Sequence, residues 1–151
     1  MALLEALNYQ VYTIDEKVGW PPDGRNHVAL SGRRYDVIIS QPSNLWIAGM
    51  ADLFTAEFFH NSRQQLAPGG LFATWIQAYA LQKRDVQTIV ATFKSAFPHV
   101  AIWELMPGVD YLLIGSDAPV APDPEDFAAR LDYPGLNCLL YTSPSPRDAT
   151  L

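Results

Sequence analysis

The chain is poor in several things, and each shortage excludes something. It has one cysteine in 151 residues. A disulfide framework is excluded, and so is a cysteine-built zinc site. Charged residues make up only 17%, and the balance is acidic at −6. The acidic balance argues against a nucleic-acid partner, which needs a basic face to meet phosphates. No run of about 18 apolar residues occurs, so no segment reads as a membrane span. Met1 to Leu7 is short and apolar without a basic flank, and it does not read as a secretory signal. His27, His60 and His99 lie far apart, so no metal site is expected and the three read as surface or capping residues. The chain also contains no Gly-x-Gly, the usual loop for a dinucleotide or nucleoside phosphate. The expectation left is a soluble cytoplasmic domain.

What is present is a core of ordinary size and a change of character near the end. Six of the twelve prolines lie from Pro119 onward, at Pro119, Pro122, Pro124, Pro134, Pro144 and Pro146. Proline lacks a backbone donor, so this stretch breaks helices and central strands. One short helix over Asp126–Leu131 is the only element expected there. From residue 138 to 151 periodicity disappears, which predicts a disordered tail. That tail, which includes Cys138 and Tyr141-Thr-Ser-Pro-Ser-Pro-Arg-Asp-Ala-Thr-Leu151, resembles translated adapter sequence more than evolved protein. Residues 1–137 are then read as the native part.

The remaining elements follow from periodicity. Gln10–Asp15 alternates and reads as a strand. Asp23 stands at a helix N-cap position, with a short helix over Gly24–Ser31 closed by Gly32. Tyr35–Ser40 is an almost continuous apolar run, the mark of a strand covered on both faces. Gln41–Gly49 is a loop carrying Pro, Ser, Asn and Trp. Ala51–Leu66 places Leu53, Phe54, Phe58, Phe59 and Leu66 on one helical side. Pro68-Gly69-Gly70 ends that helix, and Leu71–Ile76 is a strand. Lys83–Phe97 repeats Val86, Ile89, Val90, Phe93 and Phe97 at helical spacing. Val100–Leu105 and Tyr111–Gly115 are strands too close for a parallel crossover, so they form an antiparallel hairpin with Trp103 and Tyr111 in its core. Trp75 reads as core, and Glu57 as solvated. The order predicts an α/β fold: a Rossmann-like, doubly wound sheet, mostly parallel, with helices on both faces and a C-terminal antiparallel hairpin. In such sheets ligands sit at the carboxyl ends of the strands. That singles out the loops starting at Asp23, Gln41 and Gln77.

Tyr35-Asp-Val-Ile-Ile-Ser-Gln-Pro-Ser-Asn-Leu-Trp-Ile-Ala-Gly49, then Leu53-Phe54, Glu57-Phe58-Phe59 and Leu66-Ala-Pro-Gly-Gly70, resembles the spermidine synthase-like polyamine aminopropyltransferases. These share the S-adenosylmethionine-dependent methyltransferase fold. The resemblance runs from about Asp23 to Ser116 and is strongest to the bacterial branch often fused to membrane segments. It implies aminopropyl transfer from decarboxylated S-adenosylmethionine to an amine such as putrescine. It also implies a cytoplasmic domain, which in a fused parent would sit beside membrane segments the chain itself lacks. A homodimer stays open. Asp23 matches the acidic residue that accepts from the adenine amino group, and Gly24 lets the base approach. Gln41 and Pro42 fall at the start of the catalytic loop, and Ser43 and Asn44 on the next motif positions. Gln77 matches a glutamine beside the amine substrate, with Tyr79 next to it, and Trp46 is placed to line the same pocket. The implied co-substrate is decarboxylated S-adenosylmethionine or S-adenosylmethionine, with no metal.

Three positions depart from that pattern. Gln41 and Asn44 stand where the family has acidic residues, and Leu45 replaces a proline. An amine near pKa 10 is deprotonated in about one molecule in a thousand at neutral pH. A carboxylate would hold it and take its proton, whereas an amide only hydrogen-bonds. The glycine loop and the acidic residue after the second strand are also missing, Asp15 and Glu16 being the only early candidates. The first βα units of the fold are therefore expected to lie outside this sequence. Two other readings stay open: a methyltransferase acting on another small molecule, and a non-catalytic domain that keeps the fold.

Overall fold

The computed structural model describes residues 24–42, 45, 49–120 and 123–125. The chain divides into two compact units, Glu16–Val120 and a second made of Met1–Asp15 with Ala121–Leu151. In the second, the described residues are 123–125, where the Glu125 N–H donates to Asp123 Oδ1 at 2.9 Å. The expected strand Gln10–Asp15, the helix Asp126–Leu131 and the tail from 138 lie outside the described residues.

In the first unit the order is α1 (Gly24–Leu30), β1 (Tyr35–Ser40), a 3-10 helix (Met50–Phe54), α2 (Ala56–Gln64), β2 (Leu66–Gln77), α3 (Lys83–Ala96), β3 (His99–Met106) and β4 (Asp110–Ser116). The four strands form one open sheet in the order β1-β2-β4-β3. β1 and β2 are parallel, and β4 runs antiparallel to both β2 and β3. Three strands thus share one direction and β4 alone is reversed. This is the mixed α/β, Rossmann-like sheet with a closing hairpin that the element pattern predicts.

The core lies on the face turned toward α2 and α3. Ile38, Phe72, Ile76 and Leu113 project from the sheet, and Phe58, Phe59, Phe93 and Phe97 come down from the helices. The rings lock edge to face: Phe59 and Phe93 have centroids 5.0 Å apart at 80°, and Phe58 and Phe72 are 5.9 Å apart at 75°. Phe72 and Phe97 stack at 5.5 Å and 21°. Each buried ring contributes roughly 1.5–3 kcal/mol of transfer free energy. The stack leaves no room at Gly115, where an added Cβ would stand 2.4 Å from the Phe97 ring. Gly32 fills the other glycine role. It ends α1 at φ 63°, a left-handed turn that side chains resist.

Four expectations are corrected. The single helix over Ala51–Leu66 is two pieces. Thr55 is extended between them, and its hydroxyl accepts the Phe58 N–H at 3.3 Å, capping α2. Leu66 belongs to β2, so Pro68-Gly69-Gly70 lies inside a strand rather than before one. The register explains how: β1 advances from Tyr35 to Val37 while β2 advances from Leu66 to Leu71, and the Pro-Gly-Gly segment bulges out. β1 is covered on one face only, for Val37 and Ile39 are 49% and 70% exposed. The described helices do not cover that side; α2 and α3 pack on the Ile38 side, and α1 packs on α2. Trp103 is not hairpin core but half exposed, because β3 is an edge strand. Tyr111 does pack against the core, and Glu57 is exposed as expected.

Candidate functional site at the strand carboxyl ends

Because β1 and β2 are parallel neighbours, their carboxyl ends emerge at one edge. Gln41 follows β1 directly and is exposed, Pro42 behind it is buried, and Leu45 packs against the core. Gln77 closes β2. Ser40 pairs with Thr74, so Gln77 reaches further along the same edge. Gln41, Pro42 and Gln77 thus lie at the same edge of the sheet. Tyr79, in the turn after β2, is 58% exposed. The turn is anchored by the Ala78 N–H to the Val109 carbonyl at 2.6 Å and the Leu81 N–H to Ala78 at 3.0 Å. Gly24 opens α1, at the end of that helix away from the short link to β1. Asp23, Ser43, Asn44 and Trp46 lie outside the described residues.

Alternation puts Trp75 and Gln77 on one face of β2, the face that also carries Val37 and Ile39. Trp75 is half-buried rather than core, and its indole N–H has no hydrogen-bond partner. Gln77 Oε1 is likewise buried and unpartnered. Directly opposite them on β4 stand Leu112 and Asp110. The site therefore offers a free donor, a free amide acceptor and a carboxylate on one face. Reading the sequence alone missed Trp75 and Asp110 as site residues. The period-2 pattern of Leu71–Gln77 already puts Trp75 beside Gln77, but Asp110 needs the hairpin register.

On the other face Tyr111 and Glu104 pair across β3 and β4. Tyr111 titrates above its usual range because partial burial strips water from the phenolate. The hydrogen bond to Glu104 and the repulsion of that carboxylate add to the shift. Among the described residues no group of three side chains could hold a metal ion. His60 Nδ1 bonds the Ala56 carbonyl at 2.7 Å, and the His27 ring lies 3.3 Å from the Tyr35 hydroxyl. A cavity of about 470 Å³ lined by Lys94, Phe97, His99 and Val120 sits at the opposite, amino end of β3. It takes no part in this edge. No helix of the described residues is long and apolar enough to cross a membrane.

Residues 14–113 match the profile of the spermine/spermidine synthase domain. Among solved structures, human methyltransferase-like protein 13 in complex with SAH superposes with a TM-score of 0.56 at 18% identity, over 85% of this chain and 61% of that one. A probable spermidine synthase from Corynebacterium glutamicum gives a TM-score of 0.49 at 25% identity, over 70% of this chain and 40% of that one. A methyltransferase from Pyrococcus furiosus gives 0.40 at 14% identity, over 57% of this chain and 42% of that one. The chain therefore spans less than two thirds of the length of these structures. The first likeness bears on the fold alone. No curated protein matches.

Proposed function

We propose that this chain, which belongs to the spermine/spermidine synthase domain family, transfers an aminopropyl group from decarboxylated S-adenosylmethionine to a small amine such as putrescine. The observation that carries the reading is the placement of Gln41 and Gln77. These are the two positions that the family resemblance ties to the catalytic loop and the amine, and both lie at the carboxyl ends of adjacent parallel strands, with Gln77 Oε1 buried and unpartnered. An amine supplies the N–H that this acceptor lacks. The donor set fits a polar, nucleoside-bearing co-substrate beside an amine: Gln41 and Gln77 both donate and accept, and the Trp75 N–H donates. In this proposal Asp23 and Gly24 hold the adenine, Gln41 and Pro42 the region near the sulfonium, Ser43 and Asn44 the catalytic loop, and Trp46, Gln77 and Tyr79 the amine. Cytoplasmic placement and a homodimer belong to the same proposal.

The reaction needs little acid catalysis. The amine lone pair forms a bond to the aminopropyl carbon, the C–S bond breaks, and its electrons neutralise the sulfonium to a thioether. The attacking nitrogen, an ammonium at neutral pH, must first lose one proton to solvent water for its lone pair to be free, because Gln41 accepts none. Gln41 orients groups but takes no proton, so the wild-type chain is expected to be slow. Replacing Gln41 by Glu restores a base where the family has an acidic residue. It should raise the transfer rate by about tenfold or more, within the 10²–10⁴-fold range of a positioned base. Transfer of label from decarboxylated S-adenosylmethionine to putrescine measures it, and an unchanged or lower rate counts against this role for position 41.

A second reading is methyl transfer to a small molecule. The uncharged Gln41 favours it, since an acceptor already nucleophilic at neutral pH needs no carboxylate. Calorimetry with decarboxylated S-adenosylmethionine, S-adenosylmethionine and methylthioadenosine separates the two. Preference for the decarboxylated form supports aminopropyl transfer, and preference for the carboxylated form supports methyl transfer. Binding of none of the three sinks both.

A further inference from the structure

We infer that Asp110 is an amine-binding residue, its carboxylate and Gln77 Oε1 together gripping the ammonium group of a cationic substrate at the carboxyl edge of the sheet. The inference rests on the amine-transfer reading for its class of ligand. The rest comes from the hairpin. Asp110 is the first residue of β4 and stands directly opposite Gln77 on β2. Directly opposed residues in an antiparallel pair share a face, with Cβ atoms about 4.5–5.5 Å apart. Two acceptors are thus set side by side, a carboxylate and a buried amide oxygen with no partner. Acceptors facing each other are not satisfied by one another. They call for a donor between them, and a positively charged one suits the anion best. An ammonium group has three N–H donors and fits.

The neighbouring carboxylates are already engaged. Glu104 Oε1 accepts the Gly108 N–H at 2.8 Å and bonds Tyr111 on the opposite face. Asp85 Oδ2 accepts the Gln82 N–H at 3.0 Å at the start of α3. Asp117 pairs with Arg63 at 2.7 Å beyond the far end of β4. Asp110 has no ion pair among the described residues. Its position is fixed, because the Ala78 N–H bonds the adjacent Val109 carbonyl and ties the hairpin turn to the end of β2.

The test is calorimetry of the full 151-residue chain, first with methylthioadenosine, then with 1,4-diaminobutane in its presence, and with 1,4-butanediol as the uncharged control. The unaltered chain should bind the diamine and not the diol. Asp110→Asn should weaken the diamine about tenfold or more while leaving methylthioadenosine affinity unchanged. Asp110→Glu, which keeps the charge, should recover part of the loss. Equal diamine affinity in Asp110→Asn overturns the inference and leaves the transferase reading standing. An unaltered chain that binds methylthioadenosine but no diamine overturns the inference as well, and one that binds neither overturns both. Should Asp110→Asn misfold, carbodiimide coupling of the diamine to the unaltered chain decides. Amidation of Asp110 at diamine concentrations that spare the exposed Asp117 supports the inference, and labelling of Asp117 without Asp110 overturns it.

Discussion

Thr74 is fully buried in the middle of β2, between Phe72 and Ile76 on the aromatic face, and its hydroxyl has no partner. A hydroxyl brought out of water without a hydrogen bond costs about 1–3 kcal/mol. Valine has nearly the same shape and no such cost. Thr74→Val is therefore expected to stabilise the chain by about 1 kcal/mol, seen as a thermal midpoint raised by about 2–8 °C. A lowered midpoint would mean that the hydroxyl is satisfied after all. Ser62, in α2, is buried and unpartnered in the same way. Neither fault is visible in the sequence. Helical periodicity and strand alternation assign a residue to a face, but not to a place on it where no acceptor comes within reach.

The β3–β4 hairpin is the element whose chemistry answers to pH. Tyr111 in the folded chain holds its proton to higher pH than a free tyrosine, from partial desolvation first and from Glu104 second. The raised value contributes stability that is fully present below about pH 10 and is lost as pH climbs through the folded-state value. Phenolate absorbance should show one tyrosine ionising late, absent in Tyr111→Phe and shifted back toward about 10 in Glu104→Gln. An unmoved titration in Glu104→Gln would dissociate the two residues. The hairpin was also the most legible element. Five residues, Met106 to Val109 with Asp110, leave no room for a crossover. The helix over Ala51–Leu66 was less so. Its apolar spacing runs on through Thr55, where a local side-chain cap breaks the helix, and Leu66 has the right spacing for a helix it does not join. The placement of Gln41 and Gln77 followed from strand order alone. Asp110 did not, because cross-strand neighbours are a matter of register, which spacing along one chain does not carry.

For the sheet as a whole, the described strands leave β1 and β3 as edges. Both carry exposed apolar side chains: Val37 and Ile39 on β1, and Ile102, Trp103, Leu105 and Met106 on β3. Sheet edges of this kind recruit other strands unless charge or a bulge blocks them. Ile39→Lys, at a position already 70% exposed, should reduce concentration-dependent self-association in light scattering without lowering the free energy of unfolding by more than about 0.5 kcal/mol. Unchanged association would point to the β3 edge instead. The strand order β1-β2-β4-β3 also sets an order in time. β3 and β4 meet across a short turn and can pair as soon as they are made, at small loop-closure cost. β2, the longest of the described strands, sits between β1 and β4 and waits on both sides, for a β1 that precedes it by a helix and for a β4 that follows α3. The edge that carries Gln41, Gln77 and Asp110 depends on these long-range pairings and is thus expected to join after the β3–β4 hairpin. That edge is expected to be the last part of the sheet to close.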